Sequence, residues 1–149
     1  MAVWYDVLIN LGSYFRAHAA LSGVAVKVGA FNPNNMLKET AAGGVICLVR
    51  DHEGREKLYK GGEGVIDIMA FCHSRSDNPD PAVGYKKISD LEDGLVAAVT
   101  DWMHNVKPID VGADITYVEI DETMGDLDCQ RPLISSRKII RIEWSKRTL

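Results

Sequence analysis

The 149 residues are 46% hydrophobic and 26% charged, with a net charge of −4. A chain near this length buries roughly 68–70% of its unfolded surface, so its core needs no disulfide or metal staple. The acidic balance argues against nonspecific DNA binding, and no apolar run approaches the roughly 18 residues of a membrane span.

Taken in chain order, Val3 to Leu21 reads as a helix. Trp4, Val7, Leu8, Leu11 and Phe15 recur at helical spacing, while Asp6, Asn10, Ser13 and Arg16 fall elsewhere. Those polar residues, with no basic region before them, give no signal-peptide order. Ser22-Gly23 should end the helix. Val24, Val26 and Val28 alternate as a short strand, and Phe31 to Asn35 is dense in turn formers. Met36 to Ala42 has room for one or two helical turns before Gly43-Gly44. Val45 to Arg50 and Arg55 to Lys60 read as a β-hairpin with an exposed tip at Asp51-His52-Glu53-Gly54. Gly61-Gly62-Glu63-Gly64 breaks the chain before a long strand, Val65 to His73. That strand is apolar on nearly both faces, the mark of a central position.

Ser74 to Tyr85 reads as a long polar loop, mobile by its length. Ser89 and Glu92 have capping-box spacing and predict a helix from about Ile88 to Asn105. Leu91, Leu95, Ala98, Val99, Trp102 and Met103 line its apolar face, and Pro108 prevents continuation. Ile115 to Glu122 is a strand, Thr123 to Gln130 an acidic loop, and Pro132 to Trp144 a final strand buried on one side. The order α-β-β-β-β-α-β-β predicts an α+β protein, a single domain over residues 1–149. Its expected architecture is a mixed or mainly antiparallel β-sheet packed by two longer α-helices, with an extended β-hairpin.

Chemistry-bearing patterns are sparse. Gly61 to Gly64 carries Glu63 and precedes a strand, so it lacks the Lys and helix of a phosphate loop. His18, His52, His73 and His104 are scattered. Cys72 and His73 are adjacent, so in a strand they point to opposite faces and share no metal. Cys47, Cys72 and Cys129 are an odd, widely spaced set and no disulfide framework, which fits a reducing cytoplasm. Asp121, Glu122, Asp126 and Asp128 could offer oxygen ligands, but they miss the EF-hand spacing and Arg131 competes. Arg131, Arg137, Lys138, Arg141, Lys146 and Arg147 make the C-terminal segment basic; a solvated strand edge and tail is the favoured reading, with nucleic-acid contact the alternative. No catalytic residue, cofactor or metal is expected.

Three segments carry a resemblance: Val65-Ile-Asp-Ile-Met-Ala-Phe-Cys-His-Ser-Arg-Ser76, Leu91-Glu-Asp-Gly-Leu-Val-Ala-Ala-Val99 and Arg131-Pro-Leu-Ile-Ser-Ser-Arg-Lys-Ile-Ile-Arg-Ile-Glu-Trp144. Together with the element order, they are similar to the tail terminator and tail-completion proteins of long-tailed bacteriophages, including prophage remnants. The resemblance implies a ring, commonly hexameric, that caps the tail tube and stops its polymerisation. It implies three partners: further copies of the chain, the tail-tube protein and the head-completion or connector protein. It also implies assembly in the bacterial host cytoplasm and residence in the virion tail. No membrane and no specific nucleic acid enter this reading. Candidate interface residues are Asp51, Glu53, Arg55, Asp126, Asp128, Arg131, Arg137 and Arg141. A small bacterial enzyme or ligand-binding α+β domain is the alternative from a different class.

Overall fold

A computed structural model of the chain describes residues 3–29, 43–50, 56–58, 63–105, 108–109, 113–124 and 133–146. Helix α1 spans Val3–Ala17 and buries Val7, Leu8, Leu11 and Phe15, the stripe its spacing predicts. It stops at Ala17 rather than Leu21. His18 becomes extended there and caps a separate 3-10 turn, Ala19–Leu21, by accepting the Ala20 N–H on Nδ1. Gly23, at φ +79°, turns the chain toward β1 (Ala25–Val28).

Strands β2 (Val45–Arg50), β3 (Glu56–Leu58) and β4 (Glu63–Arg75) follow. β4 is central, as its composition requires. It pairs antiparallel with β2 and β3 on one edge and with β7 (Leu133–Lys146) on the other. The hairpin differs from the expected one. Arg50 lies opposite Ile68 and Glu56 opposite Ile66, so β2 and β3 are successive stretches of one arm and β4 is the other. The physical reason is β4's length: it offers a ladder to both stretches, which outweighs the turn signal at Asp51 to Gly54. Residues 51–55 themselves, like the reading of a helical turn at Met36 to Ala42, lie outside the described residues.

Helix α2 (Pro81–Asn105), β5 (Pro108–Ile109) and β6 (Ala113–Met124) complete the order. Among the described residues the sheet has seven strands in the order β1-β2-β4-β7-β6-β5, with β3 also on β4. β1 and β2 are parallel and every other pair is antiparallel. This is an α+β fold with a mixed sheet. Both helices bury their stripes in one cluster with Ile46, Leu48, Ile66, Ile68, Ile140 and Ile142. Each such side chain contributes about 1.5–3 kcal/mol on burial. Trp102 is fully buried there, and its indole N–H donates to Asn10 Oδ1 at 2.9 Å. Glycine is required at Gly44. It sits at φ +99°, and a Cβ there would meet the His73 carbonyl oxygen at 2.9 Å.

The start of α2 corrects the reading of Ser74 to Tyr85 as one loop. Ser74 and Arg75 belong to β4, and Pro81 onward is helix. Asp80 is the cap: its Oδ1 accepts the Ala82 N–H at 3.0 Å. Pro81 sits at the first helical position, where its missing N–H costs nothing. Residues 76–80 are tied by side chains. Ser76 Oγ accepts from the Asn78 N–H and Asn78 Oδ1 from the Asp80 N–H. The Ser89–Glu92 capping box is therefore false; Ser89 is an exposed interior residue of α2. Asp80→Ala should cost about 1 kcal/mol of stability. Ser89→Ala should change it by less than about 0.5 kcal/mol. Urea melts of both variants check this, and a larger loss in Ser89→Ala would restore the later helix start.

Candidate assembly surface

Side chains alternate along β4, so Asp67, Met69, Phe71 and His73 occupy the face opposite Ile66, Ile68, Ala70 and Cys72. Register places them beside Arg141, Ile139, Arg137 and Ser135 of β7. On the other side, Val49, Cys47 and Val45 of β2 lie beside Met69, Phe71 and His73. The sheet thus has an apolar face under the helices and a second face that mixes apolar and charged residues.

Arg141 organises one end of that second face. Its guanidinium forks onto Asp67, with Nε to Oδ1 at 3.1 Å and a terminal nitrogen to Oδ2 at 3.3 Å. A second terminal nitrogen lies 3.6 Å from Glu119 of β6. Asp67, Arg141 and Glu119 form a row across three strands, with Asp67 only 4% exposed. A buried carboxylate needs this bidentate partner. At the other end, His73 Nδ1 and Ser135 Oγ are 2.7 Å apart, and the His73 ring stacks on Phe71 with an interplanar angle of 5°. Arg137 extends over Met69, its guanidinium 3.9 Å from Sδ.

The His73–Ser135 pair has the residue types of a base and a nucleophile. Both side chains are buried, Ser135 at 1% and His73 at 6% exposed. The contact is a hydrogen bond within the sheet. Cys72 is equally closed. Burial and then the neighbouring Glu92 carboxylate push its thiol up to about 12, with Lys138 and Ser136 opposing. A protonated thiol is not a nucleophile. Cys72 and His73 do lie on opposite faces, as the strand period dictates. Among the described residues no three metal-ligating side chains converge, and no helix is long and apolar enough to cross a membrane.

Of the candidate interface residues, Arg137 and Arg141 share the second face on β7. Asp51, Glu53, Arg55, Asp126, Asp128 and Arg131 lie outside the described residues. Asp121 and Glu122 lie in β6 as the strand reading expects, and β6 runs on through Thr123 and Met124, where the acidic loop is expected to begin. The sequence reading missed Asp67, Glu119 and the His73–Ser135 pair. Asp67 carried a signal, an acid inside an otherwise apolar strand. Its partner depends on strand register, which spacing alone does not supply.

Two outcomes follow from this geometry. Because burial pushes the Cys72 thiol from its ordinary 9.0 up to about 12, its contribution to stability is complete below pH 9 and is lost as pH rises toward 12. Native protein at pH 8 should therefore expose at most Cys129 to a thiol reagent, since Cys47 and Cys72 are buried. Three thiols should react in denaturant; rapid native reaction of two would contradict the burial. Arg141→Met should cost about 3–5 kcal/mol, because it strands the Asp67 carboxylate. A loss under about 1 kcal/mol in a denaturant melt would mean that Asp67 does not depend on this fork.

The chain matches no protein-family model, and no curated protein matches it significantly. A chain of the mycobacterial sensor histidine kinase MprB superposes with a TM-score of only 0.25 at 10% identity, which carries no relationship. A chain from the virion of a native gene transfer agent particle superposes with a TM-score of 0.63. The alignment covers 97% of this chain and 98% of that one, at 16% identity. The two chains therefore share a fold along nearly their whole lengths.

Proposed function

We propose that this chain is a structural protein of a phage-like virion, acting as a tail terminator. The carrying observation is the full-length fold likeness to a chain of a gene transfer agent virion. The segments that resemble tail terminators fall largely on β4 and β7, the two central strands of the sheet, and on α2, which packs against it. The protein, one domain over residues 1–149, assembles in the host cytoplasm as a homo-oligomeric ring, a hexamer being the expected form. The ring caps the tail tube, halts its growth and offers a surface to the head-completion protein. The buried Ser135 hydroxyl and the protonated Cys72 thiol favour this over catalysis.

A head-to-tail ring needs two different complementary patches on each subunit. Asp126 and Asp128 of one copy facing Arg137 and Arg141 of the next would supply them. Arg141 already meets Asp67 and Glu119 in its own chain, so a neighbour's carboxylates would extend an existing row. Asp51, Glu53, Arg55 and Arg131 are the further candidates. Native mass spectrometry of the purified chain, with and without tail-tube protein, should show a closed ring. Replacing Asp126 and Asp128 with Lys should weaken it, and wild-type rings should loosen in salt. Intact rings in the double variant would eliminate that pairing; a chain that stays monomeric with tube protein present would eliminate the ring.

A further inference from the structure

Near its start, α2 lies close against β7. Gly84 permits this, since a Cβ there would run into the Ile134 side chain. Along the next two turns the helix and the strand leave a recess of about 320 Å³ between them. That is at the lower end of the roughly 300–1,000 Å³ of small-ligand pockets. Tyr85, Ile88, Ser89 and Glu92, spaced at i, i+3, i+4 and i+7, form the helix wall. Ile134 and Ser136 stand on the strand wall. Tyr85 and Ser89 are exposed, so the recess opens to solvent, while Ile88 and Ile134 make its sides apolar.

Two polar groups in this recess have bonding capacity to spare. Ser136 is 2% exposed, and its Oγ finds no hydrogen-bond partner apart from the weakly bonding Cys72 thiol across the ladder. Glu92 is half-buried and reaches toward the same place, because its charge raises the Cys72 thiol more than any cause except burial. Among the described residues Glu92 makes no hydrogen bond or ion pair. Lys138 acts on the Cys72 thiol in the opposite sense but does not line the recess.

We propose that this recess binds a primary alkylammonium group, the head of a lysine side chain or of a free aliphatic amine. An ammonium has three N–H donors and no acceptor, which matches a carboxylate and a hydroxyl oxygen. Its methylene stem matches the apolar sides formed by Ile88 and Ile134. Glu92 repels an anion, and a wholly apolar ligand would cover Ser136 and Glu92 without bonding either, which is costly. The site lies on the helix side of the sheet, away from the face that carries Arg137 and Arg141. It does not depend on the ring reading.

Methyl NMR of the full chain tests this, with the isoleucine δ1-methyl groups labelled. Pentylamine and N-acetyl-lysine methylamide are titrated separately, with 1-pentanol as the uncharged control. Either amine should shift the Ile88 and Ile134 signals saturably and leave Ile66 and Ile142, farther along the sheet, in place. Glu92→Gln should weaken amine binding roughly tenfold or more through loss of a charge-assisted hydrogen bond. Ser89→Trp fills the mouth from an exposed position and should block binding; it serves if Glu92→Gln fails to fold. Saturation by the blocked lysine alone supports the site and assigns it to a partner protein's side chain. Saturation by pentylamine alone supports it as a site for a free amine, and saturation by both shows that the ammonium and its stem are what is recognised. No saturable shift with either amine, equal shifts from pentanol, or unchanged affinity in the folded Glu92→Gln or Ser89→Trp variant would overturn the proposal.

Discussion

β4 has to satisfy hydrogen bonds on both edges and bury side chains on both faces, and the rest of the molecule answers that demand. Its helix-side residues Ile66, Ile68, Ala70 and Cys72 face β7 residues Ile142, Ile140, Lys138 and Ser136. α1 and α2 close over this row with Leu11, Phe15, Leu95 and Trp102. Burying several such side chains together outweighs the few tenths of a kcal/mol that separate local propensities. That is why β2 and β3 both align on β4. The opposite face is held instead by the Asp67–Arg141 fork and the His73–Ser135 hydrogen bond.

One consequence is that both helices spend their apolar stripes on the chain's own sheet. Outside those stripes, Tyr5 and Ile9 of α1, Tyr85 and Val96 of α2 and Tyr117 of β6 are the large hydrophobic side chains exposed among the described residues. An enzyme of this size would be expected to converge reactive groups on a reachable recess. Here the Ser and Cys side chains nearest to such chemistry, Ser135 and Cys72, lie buried in the sheet. The fold itself is shared along nearly its whole length with a chain of a gene transfer agent virion.

Much of this fold was legible because single-residue periodicities reported it directly. The α1 stripe, the double-sided apolarity of β4 and the Leu91-to-Trp102 face each follow from one period and one burial rule. What was illegible depended on pairing. Arg141 reads as a surface cation until register sets it beside Asp67. Asp51 to Gly54 reads as a hairpin turn until β3 is seen to continue along β4. Ser89–Glu92 mimicked a capping box, while the real cap, Asp80, was hidden among Asn78, Pro79 and Pro81, residues that signal a loop as readily as a helix start.

The most direct measurement is the length of tail tubes assembled with and without this chain, seen by electron microscopy. If the chain terminates tails, tubes made in its presence should share one length and end in a ring of this protein. Without it, tubes should run on to variable, longer lengths. Tubes of one unchanged length in its absence, with no density for it at their ends, would contradict the account.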